Sequence, residues 1–128
     1  MTLLLDTHIL IWAATGMVPK EALPYIAAEN NTLLFSPASI WEIVIKKGLN
    51  RPDFQVDPQA IYRGFLDHGY RELVITGSHT LTAGRLPPIH KDPFDRILIA
   101  QARTEKITFL TADETVARYP GDIIYVRK

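Results

Sequence analysis

Leu3-Leu4-Leu5-Asp6-Thr7-His8-Ile9-Leu10-Ile11-Trp12-Ala13 changes its hydrophobic period midway, and that change decides the fold. The three leucines form an unbroken apolar run of the kind found in a strand buried on both faces. After Asp6 and Thr7, the residues Ile9, Leu10, Trp12 and Ala13 recur at near-helical spacing as far as Gly16. A strand that passes straight into a helix through an acidic residue is the first half of a βαβ unit.

Working outward, the pattern repeats. Pro19 to about Glu29 predicts a second helix, and Thr32 to Phe35 a second strand. Ser36-Pro37-Ala38-Ser39 opens a helix that runs to Lys47 and stops at Gly48. Arg51 to Val56 reads as a loop, and Asp57-Pro58 as a cap and first residue of a helix reaching His68. Glu72 to Ile75 predicts a third strand and Ser78 to Arg85 a short helix, followed by the proline-bound connector Leu86-Pro87-Pro88-Ile89. Asp92-Pro93 then caps a helix to about Glu105. Ile107 to Leu110 is a fourth strand, Ala112 to Ala117 a short helix, and Ile123 to Val126 a last strand.

Strands separated by helices pair in parallel through right-handed crossovers, so the expected architecture is a three-layer α/β fold with helices on both faces of the sheet. With 128 residues, 47% of them hydrophobic, the chain reads as one domain spanning 1–128. It has no cysteine, which excludes disulfides and thiolate zinc sites. The amino terminus lacks a basic region and meets Asp6 too early for a signal peptide, and no apolar run approaches about 18 residues. A cytoplasmic protein with no membrane association is the expectation.

In such a fold, strand C-terminal ends and helix N-termini share one edge, where α/β proteins place their chemistry. Asp6, Glu42, Asp95 and Asp113 all fall at that edge. Two unit negative charges about 5 Å apart cost roughly 3 kcal/mol at an effective dielectric of about 20. A divalent metal ion is the simplest remedy. Asp6 and Asp113 taken singly could be helix caps, each worth about 1 kcal/mol, and Asp92 has the pattern of a structural cap before Pro93. Asp95, by contrast, shares a helical stripe with Leu98, Ile99 and Ala102, the face that packs on the sheet. Glu42 is flanked by Ile40, Trp41, Ile43, Val44 and Ile45, which leave its helix apolar nearly all round. A Glu42–Lys46 pair one turn apart would contribute only about 0.3–0.5 kcal/mol, and a buried carboxylate needs a partner or a raised pKa.

His8, His68, His79 and His90 have no zinc-site spacing and read as structural or surface residues. Oxygen ligands alone favour Mg2+ or Mn2+. Neither a phosphate loop nor a dinucleotide fingerprint is present, and no serine or cysteine sits in a nucleophile elbow. A receiver domain would need paired acids after the first strand, an aspartate ending the third and a lysine near the last. Ile75-Thr76-Gly77 and Tyr119-Pro120-Gly121-Asp122 supply neither of the latter two.

A carboxylate-bound metal centre suits phosphodiester hydrolysis, because it generates a nucleophile from water and shields charge on phosphorus. The chain carries 14 Lys plus Arg against 14 Asp plus Glu, so its net charge gives no general indication of nucleic-acid binding. Without the four edge carboxylates, however, ten acidic groups face those 14 basic ones. Lys46, Arg85, Lys91 and Arg96 are the candidates for substrate phosphates. A non-catalytic interaction module with an acidic pocket is the alternative that these residues leave open.

The segments Leu4-Leu5-Asp6-Thr7-His8, Ser39-Ile40-Trp41-Glu42-Ile43, Asp92-Pro93-Phe94-Asp95-Arg96-Ile97-Leu98-Ile99-Ala100-Gln101-Ala102 and Leu110-Thr111-Ala112-Asp113 resemble the ordered motifs of PIN domains, specifically VapC-type toxins of toxin–antitoxin modules. The resemblance spans nearly the whole chain. It implies a five-stranded parallel sheet of order 3-2-1-4-5 and Mg2+- or Mn2+-dependent cleavage of structured RNA such as tRNA or rRNA. It also implies Asp6, Glu42, Asp95 and Asp113 as the acidic quartet, with Asp92 nearby; our reading takes Asp6 and Asp95 as principal metal ligands and Glu42 and Asp113 as ligands directly or through water. The partners it implies are a second copy of the chain and a cognate antitoxin. Trp12 and the apolar residues around Ile40 to Ile45 are candidates for those surfaces, although core packing is the reading their composition favours for most of them.

Overall fold

In the computed structural model, which describes residues 1–128, none of the side chains of Leu3, Leu4 and Leu5 exposes any surface. Full burial of each contributes roughly 1.5–3 kcal/mol, so this run anchors the middle of the fold. It lies in β1 (Thr2–Leu5), which pairs in parallel with β2 (Thr32–Phe35) on one side and β4 (Thr108–Thr111) on the other. Outside these lie β3 (Arg71–Glu72), paired with β2, and β5 (Ile123–Tyr125), paired with β4. The all-parallel order is β3-β2-β1-β4-β5, the 3-2-1-4-5 arrangement expected from the resemblance.

Crossovers carry the helices. α1 (Thr7–Thr15) and α2 (Leu23–Ala27) join β1 to β2, and α3 (Pro37–Gly48) and α4 (Pro58–Asp67) join β2 to β3. α5 (Gly77–Arg85) and α6 (Pro93–Glu105) lead to β4. Side chains alternate between two cores, as strand geometry requires. Leu3, Leu5, Leu33, Phe35 and Leu110 pack with Ile9 and Leu10 of α1 and Phe65 of α4. Leu4 and Phe109 point the other way, into Leu98, Ile99 and Ala102 of α6. α1 stops where Gly16 takes a left-handed φ of 71°, a conformation glycine adopts without a Cβ penalty. No helix is long and apolar enough to cross a membrane.

Four elements differ from the sequence reading, each for a physical reason. α2 is five residues long, because Pro24 has no N–H and fits only a helix's first turn. β3 keeps two residues of the expected four. Its continuation is drawn out of the ladder by the buried Gln101 amide, which donates to the carbonyls of Leu73 and Val74 at 3.0 and 3.4 Å. The helix expected from Ala112 is a single 3-10 turn at Val116–Arg118. Finally, α3 is not buried all round: Trp41 is 58% exposed, and Val44 and Ile45 are exposed too.

Candidate active site

Strand order reverses at β1, so the crevice beyond the C-terminal ends of β1 and β4 is the topological switch point. Asp6 follows β1 directly and is buried. Its Oδ1 accepts the N–H of Ile9 at 2.9 Å, which makes it the N-cap of α1. Its Oδ2 accepts from the Thr111 hydroxyl at 2.6 Å and from the Ala112 N–H at 3.0 Å. The cap reading and the site reading of Asp6 are therefore compatible. Burial raises the pKa of Asp6, against the pull of these hydrogen bonds.

Thr111 is the functional residue that the sequence reading passed over. Its hydroxyl donates to Asp6 and accepts the Asp113 N–H at 3.0 Å, coupling the two acids through one buried atom. A threonine two residues before an aspartate at a strand end was its only sequence signal. Asp113 itself turns Oδ1 to the N–H groups of Thr115 and Val116, at 2.7 and 3.0 Å, capping the 3-10 turn. On the other side of α1, the Thr7 hydroxyl donates to Ser39 Oγ at 2.9 Å, with both residues buried. Ser39 lies three residues before Glu42, so this bond fixes the helical face that carries the glutamate.

Asp95 sits in the first turn of α6. Asp92 caps that helix through Oδ1, 2.8 Å from the Phe94 N–H and 3.4 Å from the Asp95 N–H, in keeping with the structural reading of Asp92. The Asp95 pKa is pushed up to about 7, first by burial and then by the negative charge of Asp92, with Asp113 and Glu42 adding to the rise and His90 opposing it. Asp95 therefore feels Asp92, Asp113 and Glu42 together.

His90 corrects the sequence reading, because it is neither a surface nor a remote structural residue. Its Nε2 lies 3.0 Å from Asp95 Oδ2 and 3.4 Å from Asp113 Oδ2. These three residues bring one ligand atom each within 4.8 Å of the others. No spacing rule could find His90, since it reaches the site from an irregular connector. His79 does have the structural role assigned to it, completing the Thr76 cap of α5 and meeting Glu105 at 2.8 Å.

Glu42 is the least satisfied of the acids. Its Oε1 is buried without a hydrogen-bond partner. Lys46, one turn on, does not pair with it and places its ammonium 5.3 Å from the centre of the Phe54 ring. The structure corrects the reading of Arg96 as a phosphate contact. Its guanidinium donates to the carbonyls of Ala83, Leu86, Pro87 and His90 and to the Tyr119 hydroxyl, which ties the connector before α6 to the protein and leaves it unavailable to phosphates. Arg85 and Lys91 are exposed.

An orphaned buried carboxylate oxygen, a carboxyl held near neutrality and all-oxygen acids at one crevice fit a hard divalent cation. The match to the PIN domain model over residues 3–122 places the chain in the PIN domain family. Its fold is similar to VapBC2 from Rickettsia felis, solved with a DNA fragment from its promoter, at TM-score 0.75 and 19% identity over 98% of this chain and 99% of that one. It is likewise similar to DNA-bound VapBC from Salmonella typhimurium, at TM-score 0.71 and 16% identity over 98% of both chains. A third similar structure is Mycobacterium tuberculosis VapC20, described as a sarcin-ricin loop cleaving toxin, at TM-score 0.65 and 19% identity over 98% of this chain and 99% of that one. No functionally curated protein matches the sequence.

Proposed function

We propose that this protein is a metal-dependent endoribonuclease and the toxin of a toxin–antitoxin pair. The observation that carries the reading is Glu42 Oε1, buried without a partner beside an Asp95 whose pKa burial, and then neighbouring carboxylates, push up to about 7. Such an arrangement is costly unless a cation completes it. Asp6, Glu42, Asp95 and Asp113 would hold Mg2+ or Mn2+, with Asp92 alongside. The ion would acidify a bound water and offset charge on the phosphoryl group.

The protein's own residues prepare that chemistry. Thr111 and the Ala112 N–H fix the Asp6 carboxylate, and backbone N–H groups fix Asp113, so neither must reorganise. Asp95 carries a proton part of the time at neutral pH and surrenders it when a cation arrives. Arg85 and Lys91 remain the candidates for RNA phosphates, and Lys46 is a third, packed on Phe54. Membership of the PIN family and the toxin–antitoxin complexes among its structural relatives support the reading. The substrate we propose is structured RNA such as tRNA or rRNA, and the VapC20 relative is described as a sarcin-ricin loop cleaving toxin.

For the antitoxin, the exposed face of α3 supplies an apolar surface, with Trp41 58% and Ile45 40% exposed. A groove of about 420 Å³ between Trp41, Ile75, Phe94 and Ile97 extends this surface toward the start of α6, where Asp95 lies. We assign that face to the antitoxin and expect the toxin to be a homodimer working in the cytoplasm.

The deciding experiment is cleavage of total cellular RNA by purified protein with Mg2+, with EDTA, and with Asp95→Asn in parallel. Discrete cuts lost in both controls support the reading. Folded protein that binds Mg2+ or Mn2+ but leaves every RNA intact would point to a non-catalytic interaction module instead.

A further inference from the structure

His90 is held at every polar atom it possesses. Its backbone N–H donates to the Tyr119 hydroxyl at 2.7 Å, and its carbonyl accepts from Arg96 at 3.2 Å. Tyr119 is itself buried. On the ring, the Asp92 N–H lies 3.1 Å from Nδ1, and Nε2 faces Asp95 and Asp113. A backbone amide can only donate, so Nδ1 must present its lone pair. In the neutral imidazole the proton then sits on Nε2, an assignment made from the hydrogen-bond network. A nitrogen that carries a proton has no lone pair for a metal ion.

We propose that His90 is a positioning residue of the PIN site, a tautomer-locked Nε2–H donor that orients the Asp113 carboxylate, with Asp95 packed against the same ring, for the cation without binding it. The inference rests on the nuclease reading. Asp113 already commits Oδ1 to two backbone N–H groups, so a donor at Oδ2 determines the carboxylate's remaining freedom. Asp95 has no such backbone donors on its side chain, and the His90 ring lies against its Oδ2 at 3.0 Å while its hydrogen bond goes to Asp113. Carboxylates oriented from outside the metal's own ligand set are a general device, and losing the orienting group typically costs about 10–100-fold in metal affinity or activity. A nitrogen ligand in the same place would instead shift preference toward zinc and softer ions.

The test combines nitrogen NMR with Mn2+ binding. The histidine 15N spectrum of the wild-type protein, without metal and with Mg2+, should show His90 protonated on Nε2 and unprotonated on Nδ1 in both states. Electron spin-echo spectra of the Mn2+-loaded protein should lack the coupling of a directly bound imidazole nitrogen. His90→Ala should weaken Mn2+ binding by about 10–100-fold and lower kcat while leaving KM for RNA near its wild-type value. His90→Gln, whose amide N–H can reach the place of Nε2–H, should recover at least about tenfold of that loss. An Nδ1-protonated ring, a bound-imidazole coupling, or Mn2+ affinity unchanged in a folded Ala variant overturns the proposal alone. Wild-type protein that binds no Mn2+ and cuts no RNA overturns the nuclease reading, and this proposal with it.

Discussion

The two sides of the acidic crevice are built on opposite principles. On the β1–β4 side, Asp6 and Asp113 are supplied with donors: a helix N-terminus, a 3-10 turn, the Ala112 N–H and the Thr111 hydroxyl. On the helix side, Glu42 has a buried oxygen with no partner, and Asp95 has a single imidazole against three neighbouring carboxylates. The first side has its hydrogen bonds met within the fold and is part of its stability, although burial still raises the Asp6 pKa. The second is electrostatically incomplete, and incompleteness in a fixed place is what allows tight and selective cation binding. The proposed cation site is therefore the place where the protein by itself is least content.

The sharpest way to break this comparison is Asp95→Asn. Cleavage should fall by more than the roughly 100-fold typical of an orienting residue, while the metal-free protein should melt higher than wild type, by about 3–5 °C for each kcal/mol of repulsion relieved. An Asn variant that melts lower without metal would show that the helix side is not under charge strain. Asp6→Ala should do the opposite to stability. It removes the α1 cap and strands the Thr111 and Ala112 donors, at about 2–3 kcal/mol in all, so chemical denaturation should show a lower midpoint alongside lost cleavage. Equal stability of the two variants would erase the distinction.

A titration sharpens it further. Asp95 ionises near 7 in the folded protein against 3.8 as a free side chain, so between those values the folded state holds a proton that the unfolded chain has released. The stability contributed by this group is complete below about pH 4 and declines as pH rises through 7. Without metal, the wild-type melting temperature should drop from pH 5 to pH 8 relative to Asp95→Asn. With Mg2+ the ordering should reverse, because binding requires the ionised form, and apparent affinity should climb to about pH 7 and then level. A wild-type and variant pair with parallel pH profiles would remove Asp95 as the source.

Thr111→Val should have a smaller effect, about 1–2 kcal/mol of stability and a drop in cleavage near tenfold, since Asp6 keeps its two backbone donors. Smallest of all, Arg85→Ala and Lys91→Ala should raise KM a few-fold and flatten its salt dependence, each exposed cation acting through a single phosphate. A salt dependence identical to wild type would remove them from the RNA path.

Much of the fold was legible because its signals are local. Leu3-Leu4-Leu5 announces a strand buried on both sides, Pro37, Pro58 and Pro93 each fall in the first turn of a helix, and Gly16 follows the end of another. The reading went astray where a distant group intervened, as when Gln101 of α6 shortened β3. It also went astray where solvent was mistaken for core. Trp41, Val44 and Ile45 look buried by composition, yet the helix they sit on lies at the surface.

Hydrophobic period, proline and capping act within a few residues, so the chain alone sets the alternation of strand and helix, puts Asp6, Asp95 and Asp113 near element ends and puts Glu42 in the second turn of α3. Tertiary structure alone decided how those acids differ. Thr111, separated by 105 positions from Asp6, satisfies it, and His90, 23 positions before Asp113, bridges that residue to Asp95. Arg96 was turned from a free cation into a clamp on the connector that delivers His90. Hydrogen bonds act over about 3 Å of space, with no regard for distance along the chain, so which carboxylate is satisfied and which is left without a partner is set only when the sheet closes.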